Sequence, residues 1–206
     1  MNAQDFTHHY TAATEPNAPT LLLFHGTGGD ETSLISLGQA VMPNTGLLSP
    51  RGKILEGTMP RFFRRKAEGI FDLEDLIFRT HEIADWIEAA IGEYGILRES
   101  VIAVGYSNGA NIAASLLLLR PEVLKRAILL RPMLPLQPEK LPDLSGAKVL
   151  IETGLHDSLV PSQQAERLAQ VLEAGGAAVT FKQLATGHGL TSEDVLNAQA
   201  WITKTD

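Results

Sequence analysis

Val101-Ile102-Ala103-Val104-Gly105-Tyr106-Ser107-Asn108-Gly109-Ala110-Asn111-Ile112-Ala113-Ala114-Ser115-Leu116-Leu117-Leu118-Leu119 runs 19 residues without a charge, long enough in principle to cross a bilayer. Its middle argues against that reading. Gly105, Ser107, Asn108, Gly109 and Asn111 fall there, where polar groups in hydrocarbon are costly. The stretch reads instead as a buried strand at 101–104, a tight turn, and a buried helix over Asn108–Leu119. On either side, continuous apolar runs suited to strands buried on both faces occur at Thr20–Phe24, 127–130, 148–151 and Ala178–Leu184, with a shorter one at 46–49. Helical patterns lie between and after them at 31–41, Leu73–Tyr94, Ser162–Ala174 and 191–202. In the longest, Leu73, Leu76, Ile77, Ile83, Ala84, Ile87 and Ile91 recur mostly three or four residues apart. Alternating strands and helices imply an α/β fold, a mainly parallel sheet with helices on both faces. Ligands then belong at the carboxyl ends of the strands. Residues 51–69 fit neither pattern, and their length and position make them a candidate flap over that edge. No repeat, low-complexity tract or linker divides the chain, so residues 1–206 read as one domain without a large cap.

Composition narrows the chemistry. Seventeen Lys and Arg against 24 Asp and Glu leave a net charge of −7, which argues against a nucleic-acid partner because a duplex-binding domain needs a basic face. Mean hydropathy is +0.03 and 20% of residues are charged, a balance typical of globular chains rather than disordered ones. There is no cysteine, so a thiolate nucleophile, a Cys-ligated metal or a disulfide is ruled out by inventory. Residues 1–10 carry no basic flank and no apolar stretch; the expectation is a cytoplasmic protein with no membrane attachment.

Gly105-Tyr106-Ser107-Asn108-Gly109 matches G-x-S-x-G between a strand and a helix. In that context the serine sits on a sharp turn with its hydroxyl above the sheet edge, and the flanking glycines leave room for close packing. The plainer alternative is an ordinary connection whose serine caps the helix. A serine nucleophile needs a base. Of six histidines, only His188 follows the last strand, in Thr186-Gly187-His188-Gly189-Leu190. A carboxylate must then orient the imidazole. Asp157, shortly past the strand at 148–151 and ahead of the helix opened by Pro161, is the best placed; Glu152 lies too near the strand body. The chain order Ser107, Asp157, His188 is that of the α/β-hydrolase architecture. His25-Gly26-Thr27-Gly28-Gly29, after the first strong strand, offers a backbone N–H at Thr27 to pair with that of Asn108 as an oxyanion hole. A phosphate cradle is excluded: no Walker pattern is present, and Asp30 and Glu31 would repel an anion. No metal site is indicated.

Arg61-Phe62-Phe63-Arg64-Arg65-Lys66 concentrates four basic residues in the candidate flap. It reads first as a solvated loop edge. A sharper reading makes Phe62 and Phe63 an apolar pocket wall, with Arg64 or Arg65 neutralising an acidic group on the substrate. With His25, Leu159 and Leu190, these are the candidate pocket residues.

These motifs, together with Ser49-Pro50-Arg51-Gly52, Met59-Pro60 and Gly154-Leu155-His156-Asp157-Ser158-Leu159-Val160-Pro161, resemble the small carboxylesterases and phospholipase-like serine hydrolases of the α/β-hydrolase superfamily. These are relatives of dienelactone hydrolases and acyl-protein thioesterases. The 49–52 and 59–65 motifs are similar to the hydroquinone-associated bacterial carboxylesterase branch. The chain departs from dienelactone hydrolases in having Ser107 where they place cysteine. The resemblance implies hydrolysis of small or short-chain esters, aryl esters included, with Ser107 as nucleophile, Asp157 as acid, His188 as base and Thr27 and Asn108 as oxyanion donors. It implies no cofactor, and it carries a homodimer as an expectation. A thioesterase or acyltransferase using the same acyl-enzyme, and a binding module with a slow site, stay open at this point.

Overall fold

A computed structural model describes residues 1–15 and 18–205. The strands are β1 (His8–Thr11), β2 (Thr20–Phe24), β3 (Gly46–Pro50), β4 (Ile54–Glu56), β5 (Met59–Arg61), β6 (Arg65–Ala67), β7 (Ile70–Phe71), β8 (Val101–Tyr106), β9 (Arg126–Leu130), β10 (Lys148–Gly154) and β11 (Ala178–Leu184). The helices are α1 (Ile35–Val41), α2 (Leu73–Tyr94), α3 (Asn108–Leu119), α4 (Ser162–Ala174) and α5 (Ser192–Thr205). Seven strands form one sheet in the order β1-β3-β2-β8-β9-β10-β11. All neighbours are parallel except β1 against β3.

The apolar runs dictate the layers, because alternate residues of a strand face opposite sides. Leu22, Phe24, Ala103, Leu129 and Ile151 point to the face covered by α2, α3 and α4. Leu21, Leu23, Ile102, Val104, Ile128 and Leu150 point to the face covered by α1 and α5. The 101–119 run is strand, turn and helix, and α3 is buried along almost its whole length. Among the described residues no helix is long and apolar enough to cross a membrane.

Several expectations needed correction. α1 begins at Ile35 rather than Glu31 because the Asp30 carboxylate captures the Thr32 amide and the Thr32 and Ser33 hydroxyls, holding the chain in turns. β11 is half exposed rather than buried on both faces, as an edge strand must be. Leu73 and Ile77 are exposed: one lies in the first turn of α2 and the other at the margin of its apolar stripe. β1 was not legible, since His8-His9-Tyr10-Thr11 neither alternates nor forms an apolar run. Trp86 of α2, fully buried, donates its Nε1–H to the Ala3 carbonyl at 2.7 Å and anchors the N-terminal turn beside that strand.

β2 and β8 are the topological switch point. From β2 the chain moves outward to β3, then returns across β2 to β8 and runs the other way. Loops leaving these two strands diverge and open a crevice at the carboxyl edge. Close packing of α3 on β2 sets its geometry: a Cβ on Gly109 would lie 1.9 Å from the Phe24 carbonyl oxygen. Gly109→Ala is therefore expected to cost about 3 kcal/mol or more in urea unfolding. Gly92→Ala, inside α2 with open space around it, should stabilise by about 0.5 to 1 kcal/mol.

Candidate active site

Ser107 stands between β8 and α3 with φ 52° and ψ −113°, a conformation that a non-glycine residue adopts only when its surroundings hold it there. Its amide donates to the Leu130 carbonyl of β9 at 2.9 Å, and its carbonyl accepts from Asn111. Its side chain makes no capping bond to α3, so the serine does not serve as the ordinary cap. Gly105 is required by the same turn: a Cβ there would come within 2.5 Å of the Gly109 carbonyl oxygen.

The freed hydroxyl meets His188, with Oγ 3.0 Å from Nε2. The other ring nitrogen, Nδ1, lies 2.7 Å from Asp157 Oδ2. Because Asp157 is an acceptor, the consistent tautomer has Nδ1–H donating to the carboxylate while Nε2 accepts from the serine. Asp157 Oδ1 accepts the amides of Leu159 and Val160 at 2.8 and 2.9 Å. Burial opposes the charge on Asp157, but the Val160 amide, the His188 ring and the Leu159 amide outweigh it and hold the carboxyl below its usual range. His156, next to Asp157 in the chain, is exposed, and its backbone amide donates to the Thr186 carbonyl.

Thr27 and Asn108 both border the cavity beside Ser107. The Asn108 N–H opens α3 and has no intrahelical acceptor. The Thr27 N–H makes no hydrogen bond among the described residues.

Residues 54–71 form two hairpins, β4–β5 and β6–β7, and the 51–69 segment is strapped to the loops that carry Thr27 and Asn108. The Gly28 amide donates to the Pro60 carbonyl at 2.9 Å and the Gly52 amide to His25 Nε2 at 2.9 Å. The Phe62 amide donates to Asn108 Oδ1 at 2.8 Å, and Arg61 Nη1 reaches the Thr27 hydroxyl at 2.6 Å. Buried His25 is therefore a brace, its pKa lowered by burial. Phe62 and Phe63 are corrections to the expected pocket wall. Both turn into the core, Phe62 against Phe24 and His25 and Phe63 against Phe71. Arg64 is exposed beside Asp75, 4.0 Å away, not at the crevice.

A cavity of about 280 Å³ opens beside Ser107 and His188, bordered by Thr27, Arg61, Arg65, Met133 and Leu159. Arg65 is held there by Glu56, at 2.8 Å, and by Glu68. A second, more open cavity of about 360 Å³ shares Thr27 and Tyr106 and is bordered by Leu34 and Leu190. Tyr106, Arg61 and Met133 went unrecognised in the sequence. Tyr106 occupies the variable position of G-x-S-x-G and was open to notice; Arg61 stood unsingled in a basic run, and nothing marked Met133. Among the described residues no group of three His, Asp or Glu side chains is placed to hold a metal ion.

A switch-point crevice with a serine on a strained strand-to-helix turn defines an α/β-hydrolase. The chain belongs to the phospholipase/carboxylesterase family, whose model matches residues 8–206, and so to the enzymes that hydrolyse carboxylic esters. It is 46% identical over 194 residues to MhqD of Bacillus subtilis (strain 168), named as a hydrolase, across 94% of this chain and 96% of that one. Among solved structures, the Bacillus cereus carboxylesterase matches with a TM-score of 0.95 and 44% identity, covering 98% of this chain and 95% of that one. The carboxylesterase from Mesorhizobium loti matches with a TM-score of 0.92 and 30% identity, covering 98% and 95%.

The strap bonds generate a direct measurement. In native-state hydrogen exchange the amides of Gly28, Gly52 and Phe62 should exchange as slowly as those of β2 and β8. Exchange at the rate of exposed loops would instead show a freely opening flap.

Proposed function

We propose that this enzyme cleaves small or short-chain carboxylic esters, aryl esters among them, by two-step acyl transfer on Ser107. One observation carries the reading: Ser107 Oγ, His188 and Asp157 form an unbroken chain of contacts, 3.0 and 2.7 Å long, at the edge of a cavity. His188 Nε2 takes the hydroxyl proton as Oγ bonds to the ester carbonyl carbon. Asp157 keeps Nδ1 protonated and stabilises the imidazolium, without itself taking the proton. The negative charge on the former carbonyl oxygen is met by the amides of Thr27 and Asn108. His188 then protonates the departing alcohol, and water, deprotonated by the same ring, releases the acid and restores Ser107.

The cavity's size and charge bear on the substrate. About 280 Å³ lies at the small end of ligand pockets, which run from roughly 300 to 1,000 Å³, and suits a short acyl group. Arg61 and Arg65 at its wall are offset by Glu56 and Glu68, so the balance favours a neutral ester over an acidic one.

A fluorophosphonate should label the wild type at Ser107, and Ser107→Ala should lose labelling and hydrolysis of p-nitrophenyl acetate together. Asp157→Asn should lower kcat by about 10⁴-fold. In the wild type kcat/KM should fall on the acid side as the imidazole becomes protonated and can no longer accept the serine proton. Labelling with no turnover across acyl chains of increasing length would count against the esterase and for a binding module.

A further inference from the structure

One buried charged cluster lies outside the reacting groups. Arg131 follows β9 with φ 57°, and its guanidinium and the Asp194 carboxylate are both without solvent exposure. Arg131 Nη1 lies 2.7 Å from Asp194 Oδ1, and Nη2 lies 3.1 Å from Oδ2. Two further donors of the fork go to the His188 loop. Nε reaches the Gly187 carbonyl at 3.2 Å and Nη2 the Gly189 carbonyl at 3.1 Å. Between them, the His188 carbonyl accepts from the Tyr106 hydroxyl at 3.1 Å. Three successive carbonyls are thereby fixed around the base. Asp194 is tied in turn to the entrance of α5, accepting the amide and hydroxyl of Thr191 at 2.7 and 2.9 Å.

Beside this pair sits Glu152, fully buried near the end of β10. Its backbone carbonyl accepts the Arg131 amide at 2.7 Å, but its carboxyl oxygens have no hydrogen-bond partner among the described residues. The groups facing it are Asp194 and Asn197 from α5, Arg131 from the end of β9, and Lys182, its register partner on β11. Lys182 spends its ammonium on Asn197 Oδ1, 2.5 Å away. Burial, and after it the Asp194 charge, pushes the Glu152 carboxyl up to about 8, so it is neutral at pH 7 and Arg131 belongs to Asp194 alone.

We propose that Arg131, held by Asp194, is the positioning residue for His188, and that its grip on the loop lasts only while Glu152 carries its proton. This rests on the esterase reading, in which His188 is the base. The physical step is simple. Ionised Glu152 would place a second negative charge beside Asp194 in a dry interior, and Arg131 is the cation able to answer it. A guanidinium drawn toward Glu152 gives up the Gly187 and Gly189 carbonyls, and the ring loses its alignment with Ser107.

Two variants separate positioning from mere structural support. Arg131→Lys keeps the charge opposite Asp194 but cannot span two carbonyls. With reactive serines counted by fluorophosphonate titration, kcat per site should fall by about 100-fold while KM stays within about twofold. Glu152→Gln removes the ionisation and keeps the shape. Wild-type kcat should decline as pH rises through about 8, and the variant should hold its plateau beyond that point. An alkaline decline unchanged in Glu152→Gln overturns the switch, and wild-type kcat per site in Arg131→Lys overturns the positioning role. Failure of the wild type to react with the fluorophosphonate would sink the underlying esterase reading, a result seen before either variant is made.

Discussion

The turn at Ser107 is the constraint from which the rest of the site follows. A φ of 52° at a serine costs about 1 to 3 kcal/mol, and the fold has to supply that from elsewhere. It does so by wedging the turn between three fixed objects: β8 before it, α3 after it and the Leu130 carbonyl at its side. α3 lies so near β2 that the backbones meet at Gly109 and Phe24, and β2 and β8 are neighbours in the sheet. The loop carrying Thr27 and the turn carrying Ser107 and Asn108 therefore leave adjacent strand ends. Their spacing is set by sheet geometry and backbone contact, neither of which yields readily to thermal motion.

Residues 51–69 tie down the two loops that border this crevice. The segment presents Pro60's carbonyl to Gly28, and the amides of Gly52 and Phe62 to the His25 ring and the Asn108 side chain. Phe62 and Phe63 turn into the core below. A segment anchored by two buried aromatic rings and four hydrogen bonds to the same two loops acts as a brace. Because Gly52 packs against the backbone of Arg61 and Phe62, with a hypothetical Cβ only 2.3 Å from Arg61, the brace is itself folded tightly back on its own chain.

What the sequence made legible, and what it concealed, divides along a physical line. Apolar runs of strand length fixed β2, β8, β9 and β10, since a strand covered on both faces must be apolar throughout. The G-x-S-x-G motif and the loops past β10 and β11 were readable because a parallel sheet sends all its strand ends to one edge. Direction within an irregular segment was not readable. In Arg61-Phe62-Phe63-Arg64-Arg65 nothing local says that the rings turn inward, that Arg61 joins Thr27, or that Arg64 faces Asp75. Arg131 is the sharpest case. After the strand-like run 127–130 an arginine looks like the place where the chain meets water, yet it is wholly buried. Its burial depends on Asp194, 63 residues further along the chain. Glu152 misleads in the same way: its nearness to the strand body is a reason to discount it as the triad acid, and the same nearness buries it beside Asp194.

Buried charge calls for a reason, because desolvating an ion pair can cancel its Coulombic gain, and an apolar pair of similar volume often packs as stably. Stability alone therefore does not account for Arg131 and Asp194. An apolar pair would fill the space but offer no donors to the Gly187 and Gly189 carbonyls. The Gly187 oxygen already lies against β10, within 2.4 Å of where a Cβ on Gly154 would stand, and without those donors nothing would aim the two carbonyls. Guanidinium geometry supplies what packing cannot: a planar fork with several donors in fixed directions, one edge bound to a carboxylate that also orders the start of α5 and the others bound to the loop. Arg61 repeats the logic on the opposite side of the crevice, joining Thr27 to the Phe63 carbonyl. Each buried arginine thus ties down one loop that borders Ser107, the one carrying His188 and the one carrying Thr27.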